Sequence, residues 1–432
     1  MLCDETEPTI NRVARTAQPC YTRRPMDDII HAHLPAPIRG AEAGTFAHDT
    51  VVRRMPAIVR RVVAENALAP AAAASLAALA DEILGGAIRP LRDTHAPDAA
   101  AWAAYVAPHA GCGWLDVPWF FAETYMFRRI LEATGYFGDG PGAGLDPYAL
   151  QKRAGLALAG RDEGPTAWLQ SPADEASPSA LGLSRLIHGS LWGNQADLSL
   201  WPAEEGGRPQ GDAAPRAERL LADDTAALAA HILAIGGGGR ADLVLDNAGL
   251  ELLGDLALAD ALLSVYIHVV LHAKPHPTYV SDVTRADLTE TLAWLGERAD
   301  GSARALGEGL ALAERDGRLV VRADWFWTSP LAGSEMPAEL RADLSRSGVI
   351  ISKGDANYRR WLGDRHWPYD TPIDRALGYT PAPLALLRTC KSEVAAGIAR
   401  ERIGAAVAVD PEWLTAGRWG VIQFVPTGAK NA

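Results

Sequence analysis

Hydrophobic and polar positions along this chain keep two rhythms, and the change from one to the other falls before its midpoint. From Thr45 to roughly residue 160 the apolar positions recur at helical spacing. Val51, Ile58 and Val62 fall on one face, an alanine-rich run extends from Leu68 to Leu84, and 119–131 carries a cluster of aromatics. This part is expected to be a helical subdomain. Farther along, short apolar runs alternate with helical patterns, at 241–245, 264–271, 318–321, 348–352, 384–387 and 419–425. Strands interleaved with helices predict an α/β fold with a largely parallel sheet covered on both faces.

The remaining segments lack a period. Residues 1–45 mix Pro, Thr, Arg and Asp and read as an extended N-terminal arm, in which the His31-Ala-His33 pair is a poor metal site. The stretch from about 161 to 179 is rich in Asp, Glu, Pro and Ser and reads as a connection. The expected organisation is an arm over 1–45, a helical subdomain with its connection over 46–180, and an α/β core over 181–432. A chain of 432 residues exceeds what one hydrophobic core usually supports, which agrees with a main domain plus a subdomain.

Composition narrows the function. With 48% apolar and 22% charged residues the chain is globular rather than disordered, and its net charge of −12 opposes binding to nucleic acid or anionic lipid. The same field repels a phosphorylated metabolite, so any anion site must be assembled locally from Arg, Lys, backbone N–H groups or a metal. Cys3, Cys20, Cys112 and Cys390 are far apart and show no zinc-knuckle or redox spacing. The N-terminus carries charge and proline where a signal peptide needs an apolar run, and no stretch is long enough to span a bilayer. A reducing cytoplasm is the expected compartment.

In parallel sheets ligands bind beyond the carboxyl ends of the strands, so the polar residues after each run are the informative ones. The first run ends in Asp246-Asn247, and the second leads through Lys274 to Ser281-Asp282. The fourth ends in Lys353-Gly354-Asp355 with Asn357 beyond, and the fifth in Arg388-Thr389-Cys390-Lys391. Asp246, Asn247 and Asp282 are oxygen donors suited to a hard divalent cation, although both aspartates could equally cap helices. Thr284 and Asp287 have the spacing of a capping box, which leaves Asp282 free for other work. Lys391 is expected at a helix start, where N–H groups favour an anion; a solvated Lys with Thr389 as N-cap is the plainer alternative. Asp355, Asn357, Tyr358 and Arg359 form a polar cluster able to hold sugar or phosphate oxygens, or else a buried turn stapled by its own side chains. The Gly236–Gly239 run precedes its strand, so a helix end and turn explain it better than a dinucleotide loop. His272 and His276 fit surface or supporting roles, and no G-x-S-x-G or C-x-x-C motif occurs.

In order along the chain these stretches resemble the damage-control phosphatases, in the branch that includes the acidic-residue methyltransferase-like proteins. The resemblance is carried by Trp119-Phe-Phe-Ala-Glu-Thr-Tyr-Met-Phe-Arg-Arg129, Leu191-Trp-Gly-Asn-Gln-Ala-Asp-Leu-Ser199, Leu245-Asp-Asn-Ala-Gly-Leu-Glu-Leu252 and Val280-Ser-Asp-Val-Thr284. Phe326-Trp-Thr-Ser-Pro330, Lys353-Gly-Asp-Ala-Asn-Tyr-Arg359 and Arg388-Thr-Cys-Lys391 complete it. Departures are mild: Gln195 stands where Lys is frequent, Ala356 where Leu is frequent, and the first 45 residues match nothing in the family.

The resemblance implies a helical N-terminal subdomain on a three-layer α/β/α Rossmann-like core, a bound divalent cation, and hydrolysis of phosphate esters of small metabolites such as fructose phosphates. It places metal ligation on Asp246, Asn247 and Asp282, with manganese first and cobalt, nickel or magnesium as alternatives. Arg388, Thr389 and Lys391 match the family's Arg-Thr-x-Lys motif. Glu251, Asp355, Asn357, Tyr358 and Arg359 match substrate-pocket stretches. The expected catalytic set is Asp246, Asn247, Asp282, Asp355 and Lys391, with Asp355 orienting a water or protonating the leaving alcohol, or with Asp246 itself as nucleophile. Two competing functions are an S-adenosylmethionine-dependent carboxyl methyltransferase and a metal- and sugar-phosphate-binding protein without turnover. The first is weakened by the absence of a glycine-rich turn after the first strand.

Overall fold

The computed structural model describes residues 34–159, 179–193, 216–235 and 238–426. The arm before residue 34 with its histidine pair, Cys3 and Cys20, the connection up to residue 178, Gln195, Gly236 and Gly237 lie outside them.

Among the described residues seven strands form one sheet: β1 (Leu220–Asp223), β2 (Arg240–Val244), β3 (His268–Ala273), β4 (Leu319–Ala323), β5 (Val349–Lys353), β6 (Leu384–Thr389) and β7 (Gly420–Val425). Their order is β1-β7-β6-β5-β2-β3-β4. Every pairing is parallel except that of β6 with β7. All six expected runs are strands. The second begins at His268 rather than Ser264, because Ser264 caps the helix Leu250–Leu263. β1 had no signal in the sequence: it is four residues long, sits at the sheet edge and buries only its first half.

Side chains in a strand point alternately to its two faces, and here the alternation feeds two cores. Val244, Ile350, Leu384, Leu386 and Val421 join one cluster, whereas Leu243, Ile351, Ala385, Leu387 and Ile422 join the other. The second face is covered by Leu250–Leu263, which packs on Ala180–Trp192 and on Gly301–Arg315. The first shares its cluster with side chains of the helices Met55–Glu65, Pro70–Gly85 and Trp119–Thr134. Helices on both sheet faces make this a three-layer α/β/α arrangement.

The helix Trp119–Thr134 is buried almost all round, so even its arginines are internal: Arg128 pairs with Asp98 at 2.7 Å and with Asp93 at 2.8 Å. Residues 34–45 run over the surface of the body, held by isolated bridges from Pro37 to Arg365 and from Arg39 to Pro118.

The expected helix start at Lys391 is absent. Residues 390–399 are irregular and the next helix is Arg400–Val409. Carbonyls that would build its first turn are taken by the Arg388 guanidinium, which donates to Ser392 O at 2.9 Å and to Val394 O. Gly239, with φ of 93°, turns the chain into β2 a few residues after the helix Thr225–Ile235. Among the described residues no helix is long and apolar enough to cross a membrane.

Candidate active site

β2 and β5 are neighbours, and from them the chain departs in opposite directions, to β3 and β4 on one side and to β6 on the other. Such a divergence opens a crevice beyond the strands' carboxyl ends. Asp246, Asn247, Asp282, Asp355, Arg359 and Lys391 line one cavity of about 80 Å³ there. Its remaining walls are Phe46, Arg54, Trp119 and Glu123 from the helical part, and Tyr279 and Ala356. Trp119 and Glu123 fall in a stretch that carried the family resemblance. Phe46 and Arg54 had no local signal, because their place depends on how the helical layer docks.

The loops after β2 and β3 are laced together. Asn247 and Asp282 form an antiparallel bridge, Val283 N–H donates to Asp246 O at 2.8 Å and Ala248 N–H to Ser281 O at 2.7 Å. To reach this bridge the chain takes positive φ at Tyr279 (46°) and Val280 (67°), a region unfavourable for a β-branched residue. The capping box is formed as its spacing suggested: Asp287 N–H donates to Thr284 Oγ1 and Thr284 N–H to Asp287 Oδ2. Capping therefore does not occupy Asp282. Lys274, 3.2 Å from Asp282 Oδ2, is fixed by Leu245 O at 2.8 Å.

Behind the cavity, Asn247 Nδ2 donates to Asp246 Oδ2 at 2.9 Å and to Glu251 Oε2 at 2.8 Å, while Ser281 Oγ donates to Asn247 Oδ1. Glu251 does not line the cavity. Its other oxygen accepts from Lys353 at 2.9 Å, and Lys353 also meets Asp255 at 2.8 Å and Ser190 O at 2.8 Å. Glu251 thus holds Asn247 from below.

The polar cluster after β5 proves to be the helix Asp355–Leu362. Positions four apart share a helix face, so Asp355 and Arg359 both reach the cavity. Asn357 instead donates to Leu245 O at 3.1 Å and Lys353 O at 2.8 Å, and Tyr358 donates to Gln423 Oε1 at 3.1 Å. Both secure the scaffold. Arg388 and Thr389 are buried beneath the surface of the cavity. Arg388 Nε donates to Asp355 Oδ1 at 2.7 Å, which also accepts from Lys391 N–H at 3.1 Å and Ser392 Oγ at 3.1 Å. Arg359 donates to Glu123 and, at 2.7 Å, to Asp364 Oδ1, with its guanidinium 3.6 Å from the centre of the Trp119 ring. His272 pairs with Asp242 at 2.7 Å and His276 bonds Pro277 O; both are buried and neither lines the cavity.

Two neighbouring acids are driven in opposite directions. Burial, then the nearby Glu251 and Asp282, raise the pKa of Asp246 well above the ordinary value, against the pull of Lys274 and Lys391. Burial also opposes ionisation of Asp355, but Arg388, Arg359, Lys391 N–H and Ser392 outweigh it and hold its carboxyl below the usual range. Crowded acids that resist losing their protons are what a divalent cation relieves, and the donor set of two carboxylates and one amide oxygen suits a hard metal. Among the described residues no group of three His, Cys, Asp or Glu side chains stands in metal-holding proximity.

A larger cavity of about 380 Å³ lies on the other side of Arg359, which lines both. It lacks the Asp246-Asn247-Asp282 grouping.

The model of the damage-control phosphatase ARMT1-like domain matches residues 50–407. The mouse protein named damage-control phosphatase ARMT1 is 32% identical, over 91% of this chain and 99% of its own length. Its namesake in Danio rerio is 30% identical over 88% and 95%. A crystal structure of a DUF89 family protein from Pyrococcus horikoshii shares 13% identity, covering 80% of this chain and 91% of that one at a TM-score of 0.42.

Proposed function

The chain belongs to the ARMT1-like damage-control phosphatase family, and we propose that it hydrolyses phosphate monoesters of small metabolites, with sugar phosphates such as fructose phosphates as the substrate class. The observation that carries this reading is the grouping of Asp246, Asn247 and Asp282 with Lys391 and Arg359 in one cavity. In this reading residues 46–180 are the helical subdomain that supplies the outer wall and 181–432 the catalytic core. The free, buried thiol of Cys390 supports a reducing, cytoplasmic setting.

Asp246, Asn247 and Asp282 would hold the cation, manganese first with cobalt, nickel or magnesium as alternatives, and it would neutralise phosphate charge and activate water. Lys391 and Arg359 then attract and orient the phosphoryl oxygens, which is most of what phosphoryl transfer asks of a protein. Asp355, held ionised by Arg388, is suited to orient the attacking water as a hydrogen-bond acceptor, and poorly suited to protonate a leaving alcohol. Glu251, Lys274 and Lys353 keep Asn247 and Asp282 in place, while Trp119 and Phe46 limit entry of bulk water.

The test is to strip the protein with chelator, restore each metal separately, and follow phosphate release from a panel of sugar phosphates and p-nitrophenyl phosphate. Release restored by metal and lost in Asp246→Ala and Asp282→Ala supports the reading. No release with any metal, together with calorimetric binding of S-adenosylmethionine, would move the function to the methyltransferase. Binding of metal and sugar phosphate without release would make it a binding protein.

A further inference from the structure

The larger cavity contains a cation that the phosphatase reading does not use. Arg360 is only 2% exposed, yet among the described residues it forms no ion pair. Its guanidinium donates to the carbonyls of Trp327, Ser329 and Leu331 at 3.1, 2.8 and 2.7 Å, and Nε has no partner. It lies between the rings of Phe120 and Phe326, each with its centre 5.0 Å from the guanidinium carbon. Burying a charge without a counter-ion is costly, and burial lowers the pKa of Arg360 to about 10. An anion in the cavity would remove that penalty.

The surroundings favour the same sign. Arg39, Arg359, Arg360 and Arg365 line the cavity with Asp364 and Glu335, in a molecule whose net charge is −12, with Arg359 engaged by Asp364 and by Glu123. The other walls are largely proline rings and phenyl groups, among them Pro37, Pro108, Pro118, Phe121 and Pro330. Such walls offer few partners for the many hydroxyls of a hexose but would accept the flat face of an aromatic base. A volume of about 380 Å³ is within the range of small-molecule sites. Three of the stretches that carried the family resemblance, at 119–129, 326–330 and 353–359, contribute wall residues here.

We propose that this cavity is a second ligand site, taking an aromatic phosphate of nucleoside-monophosphate size, with Arg360 as the buried counter-charge of the phosphate group. The site is coupled to the first one. Arg359 lines both cavities, and its partner Asp364 lines the second and accepts from Phe120 N–H at 3.0 Å. Occupancy therefore shifts Arg359 and changes phosphate-ester affinity on its other side. The coupling rests on the phosphatase reading; the binding does not.

The experiment is calorimetric titration of the full chain, in chelator, with AMP and with inorganic phosphate. Saturable 1:1 binding of AMP is expected, retained in Asp246→Ala, with inorganic phosphate at least about tenfold weaker, a difference of ~1.4 kcal/mol. Arg360→Met should abolish it but puts the fold at risk. Two variants at the rim avoid that risk: Arg39→Gln should weaken AMP about tenfold, and Ala104→Trp, at an exposed position, should fill the cavity and prevent binding. No AMP binding to the wild type, binding unimpaired in Ala104→Trp, or loss in Asp246→Ala would overturn the site. Inorganic phosphate as tight as AMP would overturn the aromatic class. With the metal-restored enzyme, saturating AMP should change KM for a sugar phosphate at least threefold; an unchanged KM overturns the coupling, and absence of phosphate release from every ester condemns the phosphatase reading while the binding result still stands.

Discussion

The Asp246 carboxylate occupies the space that a side chain at residue 354 would need: a Cβ added to Gly354 would stand 1.8 Å from Asp246 Oδ2. Gly354 also has φ of 81°, which side-chain-bearing residues rarely adopt. The first residue after β5 is thus glycine because Asp246, just after β2, fills the space beside it. Gly354→Ala should destabilise the protein by roughly 1–3 kcal/mol through backbone strain alone. It should also displace Asp246 and cut phosphate release by about 100-fold or more. Thermal unfolding and a metal-restored assay measure the two effects, and an alanine variant unchanged in both would remove this account of the site.

Metal binding can be read apart from turnover. Calorimetry should find one divalent-cation site in the wild type, lost in Asp246→Ala and Asp282→Ala and weakened in Asn247→Ala. The metal should raise the wild-type melting temperature, because a ligand bound to the native state alone stabilises it. Equal metal affinity in all four proteins would exclude these residues as ligands.

Lys353 is fully buried and compensates two acids at once, Glu251 and Asp255. Lys353→Met leaves both carboxylates without their cation, and removing one partner of a buried ion pair costs about 3–5 kcal/mol. Chemical denaturation should show a loss of that size. A midpoint shifted by less than about 1 kcal/mol would mean that water or other groups already satisfy the acids.

The depressed pKa of Asp355 fixes the sign of a pH effect. A carboxylate more acidic in the fold than in the unfolded chain contributes stability that is present above the ordinary carboxylate value and lost as pH falls through the folded value. The difference in melting temperature between wild type and Asp355→Asn should therefore be largest near neutrality and shrink below pH of about 4. A gap that widened on acidification would contradict the assigned direction.

What the sequence disclosed followed the range of the interactions involved. The six strand runs and the Thr284–Asp287 capping box are local patterns, legible because period and spacing are enough to specify them. β1 escaped because four residues at an edge bury too little to print a pattern. The antiparallel direction of β7 depends on the path of the chain, which no run of residues encodes. Within the site, Asp246, Asn247 and Asp282 were visible as polar residues after apolar runs. That Asn357 and Tyr358 turn inward while Arg359 reaches the cavity depends on the helix beginning at Asp355, and the Arg359–Glu123 contact joins residues 236 positions apart. No local window holds that information.

The position of β7 has a consequence for how the molecule is made. The last of the described strands lies inside the sheet, between β6 and β1, and among the described residues β1 pairs with no other strand. Chains leave the ribosome from the N-terminus, and contacts between distant segments are slow to form. β1 must therefore wait for about 200 further residues to be synthesised before it has a neighbour. Arg388 and Thr389, which adjoin the candidate site, face Val421 and Gly420 across the same late pairing. A nascent chain carries every proposed metal ligand long before β7 is made, so the sheet that frames them closes only after the ligands have all been synthesised.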